Sequence, residues 1–391
     1  MKKWIALVLV FVFAAGIFAG CGNNTPDLSY AITATRNGST ERFPVGPYRY
    51  YVQWWNDSYY ANLTTIAAQM QQNMDWKTML ADTSLTAPQT LSEYIVSMAK
   101  DQYLSWLYID CMFDELGLEW TEEDRKSIEK IIQDDWIAVY GNDGFNTIRL
   151  KLGVTYDEFC SLMAGNRKSG KIVNYYYGEN GPYEISDAEK HSYFENNYAR
   201  FKYIVMMLKD SDGNELGEDA VGTVEANRDE ILASDLPFED LIKQYSNDYV
   251  SDLDSLTDAQ RTAAEKQNQT ILEDGLVTNA EGVFDSALAT YYNVTLDSKV
   301  VNQVFSMQEG EVAAVTIDDS IWVVKKYSVT EKESYYEDAE TSVFQALYQD
   351  DLRAKYTAWT AGLNYTFNQA VVDAYKPENL EDLFRFASTK S

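Results

Sequence analysis

The spacing of apolar residues changes twice along this chain, and those changes limit the architectures open to it. From about residue 46 to 183, apolar side chains recur every three or four positions, the mark of amphipathic helices. Tyr48, Tyr51, Val52, Trp55, Tyr59, Leu63 and Ile66 make one stripe, and Leu91, Tyr94, Ile95, Met98, Leu104, Leu107, Tyr108 and Cys111 make a second that Gly117 stops. Thr121 with Asp124, Thr155 with Glu158 and Ser186 with Glu189 carry the spacing of a helix-starting cap. At Phe201 the period breaks. The run 201–208 reads as a strand ending in the turn-rich Asp210-Ser211-Asp212-Gly213-Asn214, and 313–317 with 321–327 reads as a hairpin turning at Asp318-Asp319. A helical pattern resumes at Ser334, with Glu337 as its capping partner, and bears Phe344, Leu347, Tyr348 and Leu352. That last helix cannot bury its stripe alone. The sequence therefore predicts an α+β protein in which a compact α+β module at 201–328 is inserted into a helical domain made of 46–200 and 329–391.

The first 21 residues place the chain outside the cytoplasm. Lys2 and Lys3, an apolar run from Trp4 to Phe18, then Ala19, Gly20 and Cys21 form a secretory leader too short to span a bilayer comfortably. Ala19-Gly20-Cys21 resembles a lipobox, with Phe18 where that motif usually has Leu. The resemblance implies removal of residues 1–20 and lipidation of Cys21. Residues 21–45, polar and punctuated by Pro26 and Pro44, read as a tether. A net charge of −29 argues against nucleic acid and against a basic patch on anionic lipid. The acyl chains are then the anchor, at about 0.8 kcal/mol for each buried methylene, on the extracytoplasmic face of the cell membrane. With 46% hydrophobic residues, the 391-residue chain can fill the cores of two or three domains.

Four segments, in order behind that leader, resemble one family. They are Glu115-Leu-Gly-Leu-Glu-Trp-Thr-Glu-Glu-Asp124, the helix Ile185 to Tyr198 running into Arg200-Phe-Lys, Leu236 to Asp248, and Val304-Phe-Ser-Met-Gln-Glu-Gly-Glu-Val312. The chain is similar to the parvulin-type foldase lipoproteins of the PrsA kind and to the related chaperone SurA. The resemblance implies a helical chaperone domain built from both ends of the chain, an inserted parvulin-like (FKBP-superfamily-like) domain, and unfolded or partly folded exported polypeptides as partners. It also implies prolyl isomerisation by a pocket flanked by two histidines. Here Met206 stands at the expected first position and Trp322 at the second, the Gly-Gly-Asp-Leu-Gly segment is not found after Asp248, and a longer acidic stretch spans 249–296. Met and Trp offer neither acid nor base. The expectation is a degenerate pocket with no catalytic residue and a chaperone without isomerase activity. Two alternatives stay open: an active prolyl isomerase of the same fold, and a solute-binding lipoprotein of a transporter, whose strands and helices would alternate around a cleft.

The remaining chemistry-bearing residues read plainly. Cys111 and Cys160 lie on apolar helical patterns, where a free thiol behaves as a small hydrophobe, and no Cys or Cys/His spacing supports a redox or zinc site. His191, the single histidine, is expected to face solvent from a helix. The Asp210 loop has its Gly at the fourth position rather than the sixth and reads as a turn, not a calcium site. No metal or cofactor is expected. Among the aromatic stripes, Tyr51, Trp55 and Tyr59 are assigned to the core, and Tyr50 and Trp54 are left as possible contacts for unfolded clients.

Overall fold

A computed structural model describes residues 26–36, 39–70, 73–210, 212–282, 296–381 and 383–384. Cys21 and the leader lie outside the described residues. In chain order the elements begin with β1 (Tyr30–Arg36), β2 (Ser39–Pro44), α1 (Val45–Gln69), α2 (Trp76–Leu80), α3 (Leu91–Glu115) and α4 (Glu122–Ile131). A π-helical stretch, Ile132–Ile137, links α4 to α5 (Ala138–Leu152), followed by α6 (Tyr156–Met163), α7 (Gly165–Tyr177) and α8 (Asp187–Asn197). Next come β3 (Tyr198–Met207), α9 (Glu218–Ala233), α10 (Phe238–Tyr245), α11 (Asp258–Gln269) and β4 (Leu276–Asn279). The chain closes with α12 (Ser298–Ser306), β5 (Val312–Ile317), β6 (Ser320–Tyr327), α13 (Glu333–Gly362), β7 (Asn364–Phe367) and α14 (Gln369–Ala374). Residues 1–169 with 358–391 form one unit and 170–357 a second, so the expected boundaries at 201 and 328 both fall inside the second.

In the first unit, helix α1 packs on α3 through Tyr48, Val52, Leu91, Ile95, Ala99, Tyr103 and Leu107. Three capping boxes fix where helices start: Thr90 with Glu93, Thr121 with Asp124, and Thr155 with Glu158. Gly117, at φ +64°, lets the chain turn after α3 in a conformation that a Cβ would oppose. The tether reading fails over 30–44. There β1 and β2 form an antiparallel hairpin, and β7 pairs with the other side of β1, placing Ile32 between Phe43 and Phe367. The polar residues of β2 misled the composition, because an edge strand exposed on one side needs few apolar residues. Ala31, Ile32 and Ala34 of the central strand are buried, and Phe367 lies 6.0 Å from the Tyr48 ring. Strands are thus not confined to the middle of the chain. Both sheets are antiparallel throughout, which is not the alternating strand-and-helix order the solute-binding alternative requires.

The second unit holds a four-stranded sheet in the order β4-β3-β6-β5. Its core joins Phe201, Ile204, Val205 and Met206 of β3 and Val323 and Val324 of β6 to Ile231, Leu241, Ile242, Val300 and Val304 from helices α9, α10 and α12. Strand β3 is buried along nearly its whole length, which is why its sequence shows a continuous run instead of alternation. A separate cluster, Phe194, Tyr198, Val329, Tyr335, Tyr336, Ala339 and Val343, fastens α8 to the first turns of α13. Helix α13 begins at Glu333, one residue ahead of the cap expected at Ser334. Within the acidic 249–296 stretch, Thr257 and Gln260 cap α11, and 283–295 lie outside the described residues.

Candidate functional site

Strand register decides which residues of the α+β module can share a pocket. Val205 pairs with Trp322 and Met206 pairs with Ile321. Side chains of directly opposed residues lie on the same face, and successive residues alternate faces. Met206 and Trp322 are therefore on opposite faces and cannot flank one pocket. Met206 is a core residue, 3% exposed, and the first-strand neighbour of Trp322 on its own face is Val205. The two positions expected to flank one pocket therefore do not share a face, since a step of one residue along a strand is a change of side.

The face that carries Trp322 also carries Tyr203, whose ring stacks on the indole at 5.0 Å with the planes 26° apart. The indole N–H donates to Ser320 Oγ at 3.2 Å. After α10 the chain runs along the edge of β3 that β6 leaves free: Asn247 N donates to the Val205 carbonyl at 2.8 Å, and Met207 N donates to Asn247 Oδ1 at 2.9 Å. This satisfies an otherwise bare strand edge. It also brings Asp248 to Tyr203, whose hydroxyl hydrogen-bonds the carboxylate. Burial holds the Asp248 carboxyl above the usual range, and that hydrogen bond opposes the shift. The face thus holds a phenol, an indole, an aliphatic side chain and one carboxyl, with Tyr203 and Val205 as buried as Met206 and Trp322 partly buried. Asp248 and Tyr203 were not singled out in the sequence, and the two-residue alternation from Trp322 through its partner Val205 was the signal that could have found Tyr203.

The first unit offers an aromatic cluster and a cleft. Tyr50 is 6% exposed, with its ring 6.1 Å from Trp54, 6.2 Å from Trp136, 6.0 Å edge-on to Phe159 and 5.7 Å from Phe384. It is a core residue and leaves the set of possible client contacts. Trp54 is exposed at 37% and stacked on Tyr50. Tyr51, Trp55 and Tyr59 pack against the core of this unit. A cleft of about 410 Å³ opens between α3, α4 and α6, lined by Phe113, Trp120, Ile128 and Tyr156, with Asp114, Arg125, Glu129 and Lys168 also on its walls. Trp120 meets Phe113 edge-on at 5.9 Å.

Solved structures similar to this chain include three foldases, all at low superposition scores. The foldase protein PrsA from Streptococcus pneumoniae is 15% identical over 72% of this chain and 85% of that one, with a TM-score of 0.30. PrsA from Bacillus subtilis is 17% identical over 73% and 85%, with a TM-score of 0.20. The foldase protein PrsA from Lactococcus lactis is 15% identical over 90% and 99%, with a TM-score of 0.29. Likeness at that level decides nothing about shape or activity. No family model matches the sequence, and no curated protein matches it.

The other singled-out residues take structural parts. His191 is not simply solvent-facing: it stacks on Tyr336 at 3.8 Å and reaches Glu333 Oε1 at 2.9 Å, joining α8 to α13. Cys111 and Cys160 are thiols that form no disulfide with one another, and burial pushes the Cys160 thiol up. Asp210 accepts from the backbone N–H groups of Asp212 and Asn214, both at 2.9 Å, so its carboxylate is spent on the turn. Among the described residues, no three His, Cys, Asp or Glu side chains converge as a metal site needs, and no helix is long and apolar enough to cross a membrane.

Proposed function

We propose that this chain is a chaperone of the foldase kind, lipid-anchored through Cys21 on the extracytoplasmic face of the membrane, which binds unfolded exported polypeptides without isomerising their prolyl bonds. The observation that carries this reading is the cleft in the helical unit, with Phe113, Trp120 and Tyr156 beside charges of both signs. Amphipathic rings grip apolar segments of varied sequence at little entropic cost, and the mixed charges tolerate whatever flanks them. Release then needs only dissociation. A tether would raise the local concentration of such a site where exported chains emerge.

The altered strand pair supports binding without catalysis. Rotation about a peptide bond faces a barrier of about 18–20 kcal/mol, and lowering it takes polar groups aimed at the twisting amide. The face with Tyr203, Val205 and Trp322 holds no imidazole, and the chain's one histidine is bonded to Glu333 on α13. In this reading 201–328 is a parvulin-like module kept as a scaffold, and 46–200 with 329–391 is the working chaperone domain.

Turbidity of reduced insulin tests the binding. The protein should suppress aggregation at near-stoichiometric amounts, and the double variant Trp120→Ala, Tyr156→Ala should lose most of that effect while keeping its circular dichroism. Undiminished suppression by the double variant would move the binding site elsewhere. In a proline-peptide isomerisation assay the protein should not exceed background, and a rate abolished by Asp248→Asn would overturn the non-catalytic reading.

A further inference from the structure

The carboxylate of Asp57, on α1 and 1% exposed, accepts a hydrogen bond from Phe384 N at 2.8 Å and from Leu383 N at 3.3 Å. One turn earlier Gln53, 2% exposed, donates to the Glu381 carbonyl at 2.8 Å, and its amide also bonds Asp57. The Phe384 ring, 5% exposed, sits 5.7 Å from Tyr50, 6.2 Å from Trp54 and 5.4 Å edge-on to Trp136. Beside this strap a cavity of about 310 Å³ remains, lined by residues that include Arg49, Gln53, Lys151 and Leu383. The tail is thus held as a bound peptide is held. Main-chain N–H and C=O groups are caught by buried side chains, and one aromatic side chain enters a pocket of rings.

Main-chain capture reads no sequence, and the ring pocket reads only aromaticity. Any extended segment with a Phe, Tyr or Trp at the pocket position could make the same bonds, so exchange of one for the other leaves no buried polar group unpaired. We propose that this groove is a second polypeptide-binding site, specific for extended unfolded segments bearing an aromatic residue, and that the chain's own tail occupies it in cis until such a segment displaces it. The proposal rests on the chaperone reading and adds a site and its self-competitor. While the tail is seated, the apparent affinity for a client falls by the fraction of time the groove is open.

Two measurements test it. Hydrogen exchange on the wild-type protein, with and without saturating reduced carboxymethylated α-lactalbumin, reads the amides of Leu383 and Phe384. Their protection should collapse when the client binds, whereas unchanged protection with client bound would overturn the groove and leave the chaperone reading standing. In parallel, a fluorescent peptide copying residues 377–391 is titrated into the wild type and into Phe384→Ala, with folding checked by near-ultraviolet circular dichroism. The variant should bind it at least about tenfold more tightly, the factor expected if the tail masks its seat nine-tenths of the time. A peptide with Ala in place of its Phe should bind neither protein. Equal affinity of both proteins for the aromatic peptide would refute the competition, and a protein that binds no unfolded client at all fails both readings.

Discussion

Arg200 is a charge placed where solvent barely reaches, at 1% exposure. Its guanidinium donates to the carbonyls of Asp274 and Glu273, pairs with the Glu331 carboxylate, and lies over the rings of Tyr335 and Tyr327 at 4.7 and 5.3 Å. Two residues along β3, Lys202 reaches Glu239 at 2.6 Å, and Tyr327 donates to the same carboxylate at 3.1 Å. Removing the guanidinium strands the Asp274 and Glu273 carbonyls, whereas the half-exposed Glu331 carboxylate can turn to water. Arg200→Leu should cost about 3 kcal/mol, read as a lowered urea midpoint with an unchanged slope. His191 gives a second test at this scale. The hydrogen bond to Glu333 and then the Asp187 carbonyl raise its pKa above 6.5. A raised folded value means the contact stabilises fully below the unfolded value of about 6.5 and is lost as pH climbs through the folded one. As the only histidine in the chain, it can be followed directly by NMR. Its midpoint should lie above 6.5 and fall back in Glu333→Gln, and a midpoint indifferent to that change would refute the pairing.

Among the elements, helix starts were readable because a capping box is a local pattern. Thr121 with Asp124, Thr155 with Glu158 and Ser186 with Glu189 all cap as their spacing predicts. Thr155→Ala should cost about 1 kcal/mol. Asp124 does more than cap, since it is 2% exposed and also receives Arg167. Asp124→Ala should therefore cost about 2–3 kcal/mol, more than Glu158→Ala, because it leaves the Arg167 guanidinium as well as the Thr121 N–H and hydroxyl without their acceptor. Thermal denaturation of the two variants side by side checks the order. What was not readable depended on partners far along the chain. Whether 30–44 is tether or strand depends on Asn364–Phe367, and the face on which Met206 lies depends on its register against Ile321. The burial of Tyr50 depends on Phe384, Trp136 and Phe159 meeting it from three other segments. Helical spacing marks a stripe as apolar but does not say what covers it.

At the scale of the molecule, one unit is continuous, 170–357, and the other is assembled from 1–169 and 358–391. Scanning calorimetry should show two transitions, and Arg200→Leu should lower one and leave the other in place. A single peak that moved as a whole would contradict this division. The pairing of Thr33 with Thr366 and of Ala34 with Tyr365 joins residues more than three hundred positions apart. Synthesis runs from the N-terminus, so β1 exists long before β7 does. Birth order and maturation order are consequently reversed: the middle of the sequence can reach its native state while the earliest segments wait, half-dressed, for the last ones to arrive.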